Sequence, residues 1–134
     1  MGIYIKSPPP AAPQIPDINP QMIAGRAGAF PVGEMETVDD LDLAPVGPYV
    51  VRKGGEAKYP KGTKNIPPGA APYGTVLTVS SAGSGADGKR CITKPLPDNE
   101  FVYQIFFDTT LALFTRSGFG KAGFSAWERK TPKR

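Results

Sequence analysis

Histidine is absent from the 134 residues. That removes the commonest general base at neutral pH, the commonest metal ligand, and any Ser-His or Cys-His nucleophilic pair built from this chain alone. The single cysteine, Cys91, has no second thiol with which to form an internal disulfide or a Cys-only zinc site, and is expected as a buried, reduced core residue. What remains for chemistry is carboxylate. Asp98, Glu100, Asp108 and Glu128 could in principle serve glycoside hydrolysis, which needs two acids at a set separation across the bond. Their scatter is what any domain contains, so no catalytic site is expected. The acidic run Glu34, Glu36, Asp39, Asp40 and Asp42 lacks the alternating oxygens, central Gly and distal Glu of a Ca²⁺ loop, and is expected as a solvated face or a patch meeting a basic partner. Gly83-Ser84-Gly85-Ala86-Asp87-Gly88 matches G-x-G-x-x-G, but pyrophosphate binding needs a helix to follow. Lys89-Arg90-Cys91-Ile92-Thr93 reads as strand instead, so a flexible inter-strand loop is expected. No cofactor and no metal are implied.

These residues must be positioned by a chain that holds 16 Pro and 16 Gly, with 40% apolar and 21% charged residues. Such a length and composition suit one small domain plus tails and exclude a helical bundle. The net charge of +4 is unevenly spread: residues 1–45 carry two basic and six acidic groups, net −4, and residues 46–134 carry 14 basic and 6 acidic, net +8. The two parts are expected to face different surroundings. The first 45 residues include eight prolines, and the run Ser7–Pro16 should sample extended polyproline II, which loses little entropy on docking. A short helix is expected around Pro20–Ala27, with Asn19 as N-cap. Residues 1–45 therefore read as an extended Pro-rich arm. Ile3, Ile5, Ile15, Ile18, Met22, Ile23 and Phe30 are its expected anchors on a partner surface, since a solvating linker has little use for so many apolar side chains.

From residue 46 to 134 the texture is that of a mostly β fold, a small antiparallel sandwich or meander. Tyr49–Arg52, Thr75–Ser80, Cys91–Thr93, Phe101–Asp108 and Leu111–Arg116 are rich in β-branched and aromatic residues and predict strands. The short Asp108-Thr109-Thr110 link predicts a tight hairpin. On the 101–107 strand, Phe101, Tyr103, Ile105 and Phe107 share one face, expected to fill the core. Val102 and Phe106 on the other face, with Phe114, Arg116 and Phe119, are expected to form an oligomer or ligand surface, or to be covered by the loop around Pro67–Tyr73. The long 52–73 segment is expected to be functional or packed on a neighbouring chain. So small a core favours oligomerisation. The basic, aromatic character raises nucleic-acid binding, but no RNP, KH or helix-turn-helix pattern is present and none is expected. With no run of about 18 apolar residues, no membrane insertion is expected either.

The run Gln104-Ile105-Phe106-Phe107-Asp108, then Leu113-Phe114-Thr115-Arg116-Ser117-Gly118, then Gly123-Phe124-Ser125-Ala126-Trp127 resembles the pyocin-knob type of domain of bacteriophage and tailocin fibres. Asn65-Ile66-Pro67-Pro68-Gly69 and Tyr73–Val79 look like that family's loop and second strand. The resemblance covers roughly residues 47–130, with Tyr49, Gln104, Phe107, Arg116, Ser125 and Trp127 at matching positions and the 84–100 loop departing from the pattern. It implies a virion structural protein, assembled in the host cytoplasm, homo-oligomeric as a trimer, and acting in attachment rather than catalysis. The implied roles are a short tail fibre, spike or tail-tip element docked on other virion proteins through residues 1–45, or a capsid head fibre or decoration protein. A carbohydrate-binding module meeting host surface glycan is the reading from a different class. On the residues alone, Phe124 and Trp127 are expected to close the core as a last strand, with the Trp N–H seeking an acceptor. Arg116 is expected to pair with a carboxylate inside the fold.

Overall fold

A computed structural model describes residues 34–133; the arm anchors Ile3 to Phe30 lie outside them. The described chain is mostly β: a five-stranded antiparallel meander with strands β1 (Gly47–Val51), β2 (Gly74–Ser80), β3 (Phe101–Asp108), β4 (Leu113–Phe119) and β5 (Glu128–Arg129) hydrogen-bonded in sequence order. Four of the five expected strands are present. Cys91–Thr93 is not one of them: Cys91 makes only an isolated bridge with Pro45. The fifth strand is the two-residue Glu128–Arg129.

The central strand explains the arrangement. In β3, the alternation of branched and aromatic residues lets Val102, Gln104, Phe106 and Asp108 point to one side, where all are buried. Register then fixes their neighbours. Phe106 sits opposite Val76 and Phe114, Gln104 opposite Thr78 and Arg116, and Val102 opposite Gly118. The expected assignment of the two faces is thus reversed: the Val102–Phe106 face is the core, and Phe101, Tyr103, Ile105 and Phe107 point outward.

No second sheet covers this core among the described residues. Irregular chain does so instead. A strap at residues 36–46, with one 3₁₀ turn at Leu41–Leu43, inserts Val38, Leu41 and Ala44. The 63–71 loop adds Ile66, Ala70 and a fully buried Pro67, and the tail adds Trp127. A smaller cluster of Ile92, Leu96 and Val102 is covered by Val46 and Phe124. The strap is stitched to three segments, through Val38 N to Val50 O (2.9 Å), Leu41 N to Lys64 O (3.0 Å) and Val46 N to Arg90 O (2.9 Å). The boundary expected between residues 45 and 46 therefore falls inside packed chain, and the folded unit reaches back to about Glu36. Likewise the 52–73 loop packs on its own domain, with Thr63 Oγ1 donating to Val38 O at 2.7 Å.

The β3–β4 turn is built by Asp108. Its Oδ1 accepts from Thr110 N (2.8 Å), Thr110 Oγ1 (2.6 Å) and Ala112 N (3.1 Å), and its Oδ2 from Ala71 N (2.9 Å). Leu111 takes a left-handed φ of 68°, and β4 starts at Leu113, two residues later than its composition suggests.

Candidate interaction face

One side of the sheet is covered, and the other is open. Across β2, β3 and β4 the open side carries apolar side chains in cross-strand rows: Thr75–Phe107–Leu113, Leu77–Ile105–Thr115, Val79–Tyr103–Ser117, and Phe101–Phe119 at the end. Tyr103 is 53% exposed, Phe107 49%, Phe101 48%, Val79 45% and Phe119 43%. Phe101 and Phe119 pack against each other with ring centres 4.4 Å apart and planes tilted by 35°. No charged side chain occupies these rows. At their β5 margin, Glu128 lies opposite Thr115 and Lys130 N donates to Leu113 O, and these two side chains are ion-paired with each other.

Behind the sheet lies the polar counterpart of this face. Arg116 donates through Nε to Gln104 Oε1 (2.7 Å) and through Nη2 to Asp42 Oδ1 (2.9 Å). Its guanidinium carbon lies 3.8 Å from the centre of the Phe124 ring and 4.5 Å from that of Trp127. Gln104, fully buried, donates through Nε2 to Leu41 O (2.7 Å) and Thr78 Oγ1 (3.0 Å). Burial pushes the Asp42 carboxyl up, but hydrogen bonds and charge from Lys94 and Arg116 outweigh it and hold the group below its ordinary value. Burial likewise pulls the Arg116 guanidinium down, against the pull of Asp42. Glu100, a buried acid, is held low by the hydrogen bond from Arg90 Nη2 at 2.7 Å and also accepts from the Ser80 hydroxyl. Every buried side-chain nitrogen and oxygen among the described residues has a partner. The Arg116 brace is thus satisfied internally. A cleft of about 270 Å³ beside it, between Lys94–Leu96 and Gly123–Ser125, opens onto groups already committed to one another.

Val102, Phe106 and Phe114 are core residues, exposed by 0%, 0% and 3%, so they form no oligomer or ligand surface. Ile66 and Ala70 of the 63–71 loop pack against the cluster that holds Phe106 and Phe114, while Val102 is covered by Val46 and Phe124. Phe119 does lie on the open face. Arg116 pairs inside the fold with a carboxylate, as expected of it. Phe124 and Trp127 both pack against the core; Phe124 does so from an isolated bridge to Gly118 rather than a strand, and Trp127 Nε1 donates to Asn65 O at 3.2 Å. Cys91 is exposed, not buried, because Ile92 takes the inward position beside Ala44. The acidic run divides in two: Glu34, Glu36 and Asp39 are exposed, as expected of a solvated face, whereas Asp40 and Asp42 are engaged by the domain. Asp40 accepts from Asp42 N and Asn65 Nδ2, and Asp42 binds Arg116 and Lys94, so part of the acidic segment's basic partner is the domain itself.

Among the described residues, no group of three or more His, Cys, Asp or Glu side chains is placed to hold a metal ion, and no helix is long and apolar enough to cross a membrane. Compared with protein-family models, curated proteins and solved structures, the chain gives no match. What sequence reasoning missed is the identity of the open face. Gln104 and Asp108 make the true inner face look the more polar one. The available counter-signal was Gly118, in line with Val102, since a side chain there would meet Phe124 Cδ1 at 3.0 Å and Leu96 Cδ1 at 3.1 Å.

Proposed function

We propose that the protein is a structural part of a bacteriophage particle: a small β knob, assembled as a trimer, displayed as a short tail fibre, spike or tail-tip element that meets the host surface, and held to other virion proteins by its Pro-rich arm. The observation that carries this reading is the pairing of a wide, uncharged, open apolar face with an inner side whose polar groups all brace the fold. Such a domain has its binding capacity in a flat surface suited to assembly. The resemblance in the 104–127 run supports it further. Gln104, Arg116 and Trp127, three of the positions that carry the likeness, meet in one cluster, so the motif acts as a folding framework.

Mass spectrometry and gold-labelled antibody microscopy on purified particles test the reading. The expected result is the protein present in particles with label at the tail. Label on the head would make it a head fibre or decoration protein, and absence from particles would remove the virion role. A glycan array on the purified protein giving strong signal that Phe119→Ala abolishes would move it to the carbohydrate-binding class.

A further inference from the structure

The inference deepens the assembly reading above, on which it rests, by naming the surface. We propose that the open face of β2, β3 and β4 is where copies of this chain meet, with Tyr103 and Phe107 near its middle and the Phe101–Phe119 pair at one end.

Area is the first argument. Four half-exposed aromatic rings, each able to bury about 150–250 Å², leave about 400 Å² of ring surface in water. Val79 and the half-buried Leu77, Ile105 and Leu113 raise this to about 500 Å². A standard interface takes about 800 Å² from each partner, of which about 65% is apolar between identical chains. The patch holds that apolar share for one such contact; in the trimer the three faces meet about one axis and each is divided between two neighbours.

Edges are the second argument, because they exclude the other common route for sheets to associate. Addition of a strand needs free backbone groups at an edge. The outer edge of β1 is occupied by the strap, with Val50 N donating to Glu36 O (2.8 Å) and Val38 N to Val50 O (2.9 Å). That of β4 is occupied by β5, by Ser125 N donating to Ser117 O (2.7 Å) and by Lys130 N donating to Leu113 O (2.8 Å). The long strands therefore offer no free edge, and β5, at the end of the sheet, is only two residues long, which leaves the open face as the broad surface for contact.

Charge is the third. The chain as a whole is +4, and a contact made through these uncharged rows buries no charge and sets no like charges directly against one another. Stacked sugar is a poorer occupant. Saccharides need directional polar partners beside the ring, and the rows offer only the hydroxyls of Thr75, Thr115, Ser117 and Tyr103.

The test is the mass of the full chain by light scattering, together with hydroxyl-radical footprinting. The expected mass is that of three chains. Tyr103 and Phe107 should be protected from labelling in the concentrated sample and become labelled on dilution, while exposed Met35 is labelled throughout. Tyr103→Lys and Phe107→Glu should each lower the mass about threefold with an unchanged far-ultraviolet circular dichroism spectrum. Footprinting of the unmodified protein gives the answer even where a variant fails to fold. A single-chain mass at every concentration overturns the proposal. So does an oligomer in which Tyr103 and Phe107 label freely, one that survives both substitutions, or protection that appears only on adding polysaccharide. An oligomer with a protected face that is absent from particles would sink the virion reading alone, and incorporation as single chains would sink this inference alone.

Discussion

Replacing Arg116 with Met keeps an unbranched aliphatic stem but ends it short of the guanidinium, removing both of its hydrogen bonds and its stacking on Phe124 and Trp127. Gln104 Oε1, fully buried, loses the donor at 2.7 Å, and Asp42 loses the donor at 2.9 Å while keeping only the largely exposed Lys94. The Arg116 and Asp42 side chains are 7% and 13% exposed, so water replaces these bonds poorly. Breaking one side of such a pair costs about 3–5 kcal/mol, most of it the cost of the stranded partner. A domain of this size has a total stability of about 5–15 kcal/mol. The expected result for Arg116→Met is therefore a loss of at least about 3 kcal/mol in urea denaturation with unchanged slope, and a melting point lower by about 12–24 °C. In the double variant with Asp42→Asn, the two costs should fall short of their sum by about 0.5–3 kcal/mol. A loss below about 1 kcal/mol, or strictly additive costs, would refute the claim that this brace holds strap and sheet together.

A fragment beginning at residue 46 should fail to give a cooperative melting transition, whereas one beginning at residue 34 should melt cooperatively, because the strap removes Val38 and Leu41 from water at about 1.5–3 kcal/mol each. Asp108 is raised by burial but lowered further by Thr110, Ala71 and Ala112, to about 2 from 3.8. Its stabilising contribution is thus complete above about pH 4 and lost as pH falls towards 2. Asp108→Asn should cost about 1–3 kcal/mol at pH 7 and flatten the acid limb of stability against pH. A Cβ on Gly74 would sit 2.1 Å from Phe107 O, against 3.0 Å for the nearest atom to one on Gly118. Gly74→Ala should therefore be the more damaging, with Gly118→Ala losing about 1–3 kcal/mol in thermal denaturation. Cys91, being exposed, should react fully with a thiol reagent in the absence of denaturant.

The strands were legible because local composition decides them: Phe101–Asp108 and Thr75–Ser80 consist mainly of branched and aromatic residues. The core's cover was not, because most of it is irregular chain. Val38, Leu41 and Ala44 recur every third residue, the 3₁₀ period, but only Leu41–Leu43 is 3₁₀ and acids fill most of the positions between, so three apolar residues in an acidic run do not read as core. The orientation of β3 turned on Gln104, whose partners are 63 residues upstream at Leu41 and 26 upstream at Thr78. A buried amide with partners that distant looks, in sequence, like a solvent-facing one. Asp42 and Arg116, 74 positions apart, present the same difficulty: an arginine in a β strand calls for an internal carboxylate, but nothing local joins it to Asp42. The closing segment shows the reverse. Trp127 revealed its role through size alone, since a large ring near the chain end must find cover and an acceptor.

The strap runs parallel to β1 at Thr37–Val50 and parallel to the loop at Asp40–Lys64. A mechanical load applied ahead of Glu34 and directed along β1 would reach these two contacts in shear, where hydrogen bonds resist together, before any strand is peeled from the sheet. The Asp42–Arg116 ion pair sits just behind them as a second stop. A tether attached in this way would transmit force to the interior of the domain, so the segment that roofs the core would also be its towing point.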